Sequence, residues 1–165
     1  MKHAEPFTFR SATVADLELL LDWQSRPHVR EWWDSTEPSE PKDFDDTRVA
    51  RWIVGFSDQP FAYMQDYTVH GWDDHHFFDL PNGSRGIDQF IGEFDMAGKG
   101  YGPNFITQRV KKLFEEGAPV IATDPHPGNV RAIAAYRKAG FKELRPAEET
   151  PWGLVLPMAT YPQTL

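Results

Sequence analysis

Apolar residues recur along this chain at two different periods, and each stretch announces its element by the period it keeps. Phe7-Thr-Phe-Arg-Ser11 alternates and predicts a strand. Thr13 offers an N-cap, and Leu17, Leu20, Leu21 and Trp23 follow at three- and four-residue spacing, which predicts a helix. After Pro27, His28-Val-Arg-Glu-Trp32-Trp33 suits a turn or two of helix, and residues 34–46, rich in acids and holding Pro38 and Pro41, suit a loop. Strands are expected at residues 51–56 and 61–69, joined by a turn at Ser57-Asp-Gln-Pro60. Residues 71–84 form a polar, aromatic-studded loop closed by Pro81-Asn-Gly83.

The second half alternates strand and helix. Gly86-Ile-Asp-Gln-Phe-Ile-Gly-Glu-Phe94 keeps period two and runs into Gly98-Lys-Gly-Tyr-Gly102, which opens a helix with Pro103 in its first turn. Ile106, Val110, Leu113 and Phe114 line one face of that helix, and Gly117 stops it. Pro119-Val-Ile-Ala-Thr123 is a buried strand. Asn129 caps a further helix, Gly140 ends it, and residues 141–144 and 152–159 supply the last strands. The order predicts an α/β fold with a mixed sheet and helices on both faces. No repeat or linker interrupts it, so residues 1–165 are expected to form one domain.

Composition narrows the chemistry. The chain has no cysteine, which excludes disulfides, a thiol nucleophile and thiolate metal sites. No apolar run approaches the ~18 residues that span a bilayer, and the opening Met-Lys-His-Ala-Glu-Pro lacks the apolar stretch of a secretion signal. A cytoplasmic protein is expected. The formal charge of −8 is uneven: residues 1–95 carry 19 acids against 8 Lys and Arg, residues 96–165 carry 6 against 9. A basic half suits an anionic cofactor and an acidic half a cationic substrate, although acid-rich surfaces also serve solubility. No concentrated basic face points to nucleic acid.

Three features could carry chemistry. Gly100 and Gly102 let backbone amides approach a phosphate at a helix N-terminus, although such a turn also serves simply to pack helix on strand. Tyr136 lies on a helix face, as a core residue or as a proton donor. Asp88 sits mid-strand among Ile87, Phe90 and Ile91, where burial disfavours a carboxylate unless that face is solvated. Trp32 and Trp33 could wall a pocket or fill the core. Asp73-Asp-His-His76 lacks a third ligand at a metal-site spacing, so no metal is expected and the histidines are assigned to a mobile loop over the substrate. Glu93 and Asp95, just before the glycine loop, would repel a diphosphate unless they point away or bases such as Lys99 compensate.

The glycine run, Asp124-Pro-His-Pro-Gly-Asn129, Tyr136 and Lys138-Ala-Gly-Phe141 resemble the GNAT acyl-CoA-dependent N-acetyltransferases. Arg85-Gly-Ile-Asp-Gln89, followed by Gly-Lys-Gly-x-Gly and preceded by His28-x-x-Glu-Trp-Trp33, is similar to the aminoglycoside 6′-N-acetyltransferase branch, from about residue 9 to 141. One departure stands out: Ala97 occupies the position where the family's loop pattern has Arg or Gln. The resemblance implies a GNAT fold with a partly splayed central sheet and acetyl-CoA as co-substrate. Its phosphates would lie on Lys99, Gly100, Tyr101 and Gly102, its arm against Asn129, and its thioester carbonyl at the amides of Phe90 or Ile91. Tyr136 would protonate the leaving thiolate. Asp88 would bind the target amine and take its proton, with Asp124, Trp32 and Trp33 helping to hold a small cationic substrate of amino-sugar type. Acyl transfer would be direct. Two rivals stay open: a siderophore-pathway acyltransferase acting on hydroxylamine or lysine-type groups, and a CoA-binding sensor without catalysis.

Overall fold

The computed structural model describes residues 6–33 and 38–163, which gather into two compact units. The expectations for the extreme N-terminus and for the start of the acidic loop, residues 34–37, lie outside the described residues. One unit comprises Met1–Asp66 and Gln89–Lys99, the other Tyr67–Asp88 and Gly100–Leu165.

In the first unit β1 (Phe7–Ser11) pairs antiparallel with β2 (Val49–Phe56), Phe7 opposite Phe56 and Ser11 opposite Trp52. β3 (Gln59–Thr68) follows β2 in the sheet and carries the chain into the second unit. The β2–β3 connection is tighter than the four-residue turn expected. Ser57 and Asp58 alone make it, both at positive φ (49° and 63°), the backbone a two-residue hairpin demands, and Pro60 is already in β3.

The first helix starts later than Thr13 suggests. A 3₁₀ turn at Val14–Asp16 precedes α1 (Leu17–Ser25), and Asp16 accepts the Thr13 N–H (2.9 Å) while Arg10 forks onto both its oxygens (2.9 and 3.0 Å). α2 is one turn, Pro27–Arg30. Within the region expected to be loop, Pro41–Asp45 winds into 3₁₀. Leu20, Trp23, Ile53 and Tyr63 form the buried centre of this unit, with Trp33, Phe44 and Phe90 packed on it.

In the second unit β4 (Arg85–Ile91, its last three residues belonging to the first unit), β5 (Ile121–Thr123), β9 (Met158–Thr160) and β6 (Lys142–Glu143) lie in that order. β4 and β5 are parallel; the β5–β9 and β6–β9 pairs are antiparallel. The sheet is therefore mixed. α3 (Tyr101–Glu115) supplies Phe105, Ile106, Val110 and Leu113 to the core, and α4 (Val130–Lys138) supplies Ile133 and Tyr136. The stretch expected as a strand at residues 152–159 is divided between β8 (Gly153–Val155) and β9, and β8 pairs in a separate hairpin with β7 (Glu148–Thr150), a strand not expected from the sequence. Among the described residues no helix is long and apolar enough to cross a membrane.

Candidate active site

Parallel pairing sets the start of β4 beside the start of β5. Arg85 is opposite Ile121 and Gly86 opposite Ala122, and the Thr123 hydroxyl adds a bond to the Ile87 carbonyl (3.0 Å). Asp88 and Asp124 come next on their strands, and their carboxyls share a hydrogen bond. Burial pushes Asp124 up to about 7, against the opposing pull of Asp88 and of a backbone N–H. Two carboxyls in one bond share a proton, so the pair titrates as a unit. At neutral pH it can accept a proton and hold a cation.

Two side chains that sequence reasoning did not place here complete this cluster. Tyr67 of β3 is buried, and its phenol is raised well above 10 by that burial and by the charges of Asp124, Asp88 and Tyr136. His76 meets Asp124, Nε2 to Oδ2 at 2.9 Å. The histidines do not decorate the surface of their loop: His75 is 4% exposed and the His76 side chain 8%. The two rings stack at 4.3 Å, and Phe77 beside them is fully buried. Phe77, directly after the histidine pair, was the available signal, since only an anchored loop buries it. Among the described residues no group of three or more His, Asp or Glu could hold a metal ion.

The glycine loop turns sharply into α3. Gly98 and Gly100 sit at φ 74° and 83°, the left-handed region that L side chains rarely adopt, and Gly100 is the residue that caps the helix. A Cβ built on Gly100 or Gly102 would meet no protein atom within 4 Å. Their openness is therefore not taken up by packing, which argues against the loop serving only to seat the helix. Lys99 is exposed, and Tyr101 and Gly102 are half-buried in the first turn, where helix N–H groups lack intrahelical partners. Asn129 caps α4, its Oδ1 accepting the Ala132 N–H (3.2 Å), so its amide NH₂ is the group left for another contact. Tyr136 is buried, edge-on to Phe141 at 5.3 Å.

Trp32 and Trp33 part company. Trp32 is 43% exposed, while Trp33 lies edge-on to both Phe90 (4.8 Å) and Tyr63 (5.9 Å). Phe90 also meets Trp23 edge-on at 6.2 Å, so the side chains of Phe90 and Trp33 pack against the first unit's core. Past Ile91 the ladder breaks: Gly92 and Glu93 both donate to the Phe61 carbonyl, at 2.8 and 3.1 Å, a two-on-one arrangement that bends a strand. The carbonyls beside the break are held by side chains, Ile91 by His28 Nε2 of α2 (2.9 Å) and Gly92 by Arg26, between α1 and α2 (2.9 Å). Glu93 does not stand as a loose charge before the glycine loop. The Trp23 indole donates to it at 2.9 Å and Arg26 pairs with it at 3.1 Å, which hold its carboxyl below the usual range. Asp95 is exposed.

Residues 12–148 match the family model of the acetyltransferase (GNAT) domain. The chain belongs to the GNAT acetyltransferases. This GNAT enzyme is 34% identical over 151 residues to the aminoglycoside N(6′)-acetyltransferase type 1 of Klebsiella pneumoniae, over 82% of its own length and 73% of the relative's. It is 23% identical over 147 residues to the lysine N-acyltransferase MbtK of Mycobacterium tuberculosis, over 84% and 70% of the two chains. Among solved structures, the aminoglycoside acetyltransferase AAC(6′)-Ib in complex with coenzyme A and kanamycin superposes with a TM-score of 0.84 at 31% identity, over 94% of each chain.

Proposed function

We propose that this chain transfers the acetyl group of acetyl-CoA directly to a primary amine of an aminoglycoside. The observation that carries the reading is the Asp88–Asp124 pair, two carboxyls joined by one hydrogen bond, with Asp124 poised to titrate at about 7. An amine must lose its ammonium proton before it can attack, and a carboxylate pair with that proton affinity can take it at neutral pH. The relatives named for aminoglycosides support the acceptor class.

The residues present fit acetyl-CoA. When bound, that molecule supplies the activated thioester. Amides of Gly100, Tyr101 and Gly102, at a helix N-terminus with open space over both glycines, suit a diphosphate, and Lys99 adds a cation beside them. The NH₂ of Asn129 is available to the cofactor arm, and the backbone around Phe90 and Ile91 lies beside the break at Gly92. Tyr136 is assigned as the acid that protonates the departing thiolate, and Asp88 as the base. Asp124 holds the ammonium. Trp32, exposed, and Trp33, packed on the first unit's core, are assigned to the substrate. Because the family match spans both compact units, we treat residues 1–165 as a single domain. The same reading places the reaction in the cytoplasm, with a small-molecule acceptor and neither nucleic acid nor membrane as partner.

Thiol release from acetyl-CoA tests this. Kanamycin and ribostamycin should each support release, and lysine and hydroxylamine should not. Release with hydroxylamine and none with the aminoglycosides would replace the acceptor class by that of the lysine acyltransferase. No release with any amine would leave a CoA-binding sensor.

A further inference from the structure

His76 is a buried titratable group that the proposed reaction does not use, and its surroundings are unusual. One ring nitrogen, Nε2, meets Asp124 at 2.9 Å. The other, Nδ1, is buried and has no hydrogen-bond partner among the described residues. Leaving a buried polar atom unpaired costs about 1–3 kcal/mol, so a histidine kept here purely for packing would be better replaced by an apolar ring. The orphaned atom also means that nothing on the Nδ1 side dictates which nitrogen carries the proton. Asp124 does so alone. An ionised carboxylate can only accept, and then Nε2 must be the N–H.

The rest of the cluster holds the imidazole in place and neutral. The His76 backbone carbonyl accepts from Arg145 at 2.6 Å, and the ring is stacked on His75 and tilted against Phe77 at 4.4 Å and Trp152 at 5.8 Å. Burial lowers the His76 pKa; Glu148 and Asp88 act the other way, and Arg145 adds to the lowering. His75 is driven further, to about 4, by burial and by the neighbouring His76 and His70, and its Nδ1 already accepts the Phe77 N–H at 3.2 Å. Arg145 is itself engaged by Glu148 (2.8 Å) and lies 3.8 Å from Asp79. The groups around the His76–Asp124 bond are thus Asp88, Tyr67, Tyr136, His75, Arg145 and Glu148.

We propose that His76 is a positioning residue for the acidic pair: its neutral imidazole donates to Asp124, fixes that carboxyl against Asp88, and stabilises the ionised form that accepts the substrate's ammonium. The inference rests on the acetyltransferase reading and deepens it. In the proton count, the ammonium gives one proton to the Asp88–Asp124 pair, Nε2 keeps its own, and His76 undergoes no net change. Its role is to make the pair a better acceptor, not to accept.

Two measurements test this. In wild-type protein, ¹⁵N shifts of His76 followed across pH 5–9 should show the Nε2–H tautomer above neutrality and an inflection that coincides with the ¹³C titration of the Asp124 carboxyl. A His76 signal that ignores the Asp124 titration overturns the proposal without any variant. Next come pH profiles of kcat/KM for H76Q, which keeps a donor amide, and H76F, which keeps a ring and loses the donor. Without the donor the carboxylate is harder to ionise. The acid limb of H76F should therefore move up by about one pH unit, about tenfold less activity on that limb, and rejoin wild type at higher pH. H76Q should stay near wild type. If H76F does not fold, H76N, too short to reach Asp124, takes its place with the same expected shift. An unshifted limb in a folded donor-less variant overturns the proposal, while an inactive wild type would overturn the acetyltransferase reading itself.

Discussion

Asp88 and Asp124 are bonded carboxyl to carboxyl because β4 and β5 run parallel from the same level, which puts Asp88 of β4 beside the residue that follows β5. Thirty-six residues apart in the chain, they become one acid. A pair of this kind gives the reaction an acid limb near 7, where Asp124 titrates. In Asp124→Asn the limb should leave that position, and kcat/KM for an aminoglycoside should fall more than acetyl-CoA affinity, as read from initial rates between pH 5.5 and 9. The same group leaves a mark on stability. An unfolded aspartate releases its proton at about 3.9, whereas folded Asp124 keeps it to about 7. Between those values the folded state binds more protons, so this group's contribution is full below pH 4 and is lost as pH rises through 7. Thermal melts at pH 5 and pH 8 should differ less in Asp124→Asn than in wild type.

Tyr136 separates an enzyme from a sensor. Its ring packs edge-on to Phe141, and Phe in its place preserves that contact. Tyr136→Phe should melt within a few degrees of wild type and bind CoA nearly as well. Turnover should drop by ~10²–10⁴, the usual worth of a positioned acid. Stopped-flow or steady-state thiol release reads the loss, and unchanged turnover would make Tyr136 a core residue.

Gly102 is the cleaner probe of the proposed phosphate loop. Gly100 needs its left-handed backbone, so any side chain there strains the loop in the apo protein, whereas Gly102 has free space in the Cβ direction. Gly102→Val should therefore leave the apo melting temperature nearly unchanged and remove the rise that acetyl-CoA gives to wild type. A Gly102→Val protein that still shows the full ligand-induced rise would take the diphosphate away from these amides.

Gly92 has the opposite character. A Cβ there would land on the Trp23 indole, which is fully buried and tethered through its N–H to Glu93. Overpacking of this kind costs about 1–3 kcal/mol, so Gly92→Ala should lower the urea midpoint by that equivalent. It should also disturb the break in the strand after Ile91, with kcat falling alongside stability. Wild-type stability in this variant would mean that Trp23 can move aside freely.

What the chain determined by itself is local. Alternation at residues 7–11 became β1, three- and four-residue spacing became α1 and α3, Asn129 caps α4, and the glycine loop opens α3 where the pattern places it. These follow from periodicity and capping, which act over a few residues and leave their signature in the same few letters. The two aspartates were also legible as candidates, Asp88 as a carboxylate mid-strand and Asp124 as the residue just after the buried strand. The rest depended on partners far away in sequence. Glu93 looked like a liability before the phosphate loop until Trp23, 70 residues earlier, was seen to hold it. The histidine pair looked like loop decoration until burial placed His76 on Asp124, 48 residues on. Which of Trp32 and Trp33 turns inward was equally undecided, since a single helical turn has too few residues to define a face. Periodicity says which side of an element is apolar. Only strand register and packing decide which polar group from elsewhere arrives to meet a buried charge, because that choice is made by the free energy of the whole packed arrangement.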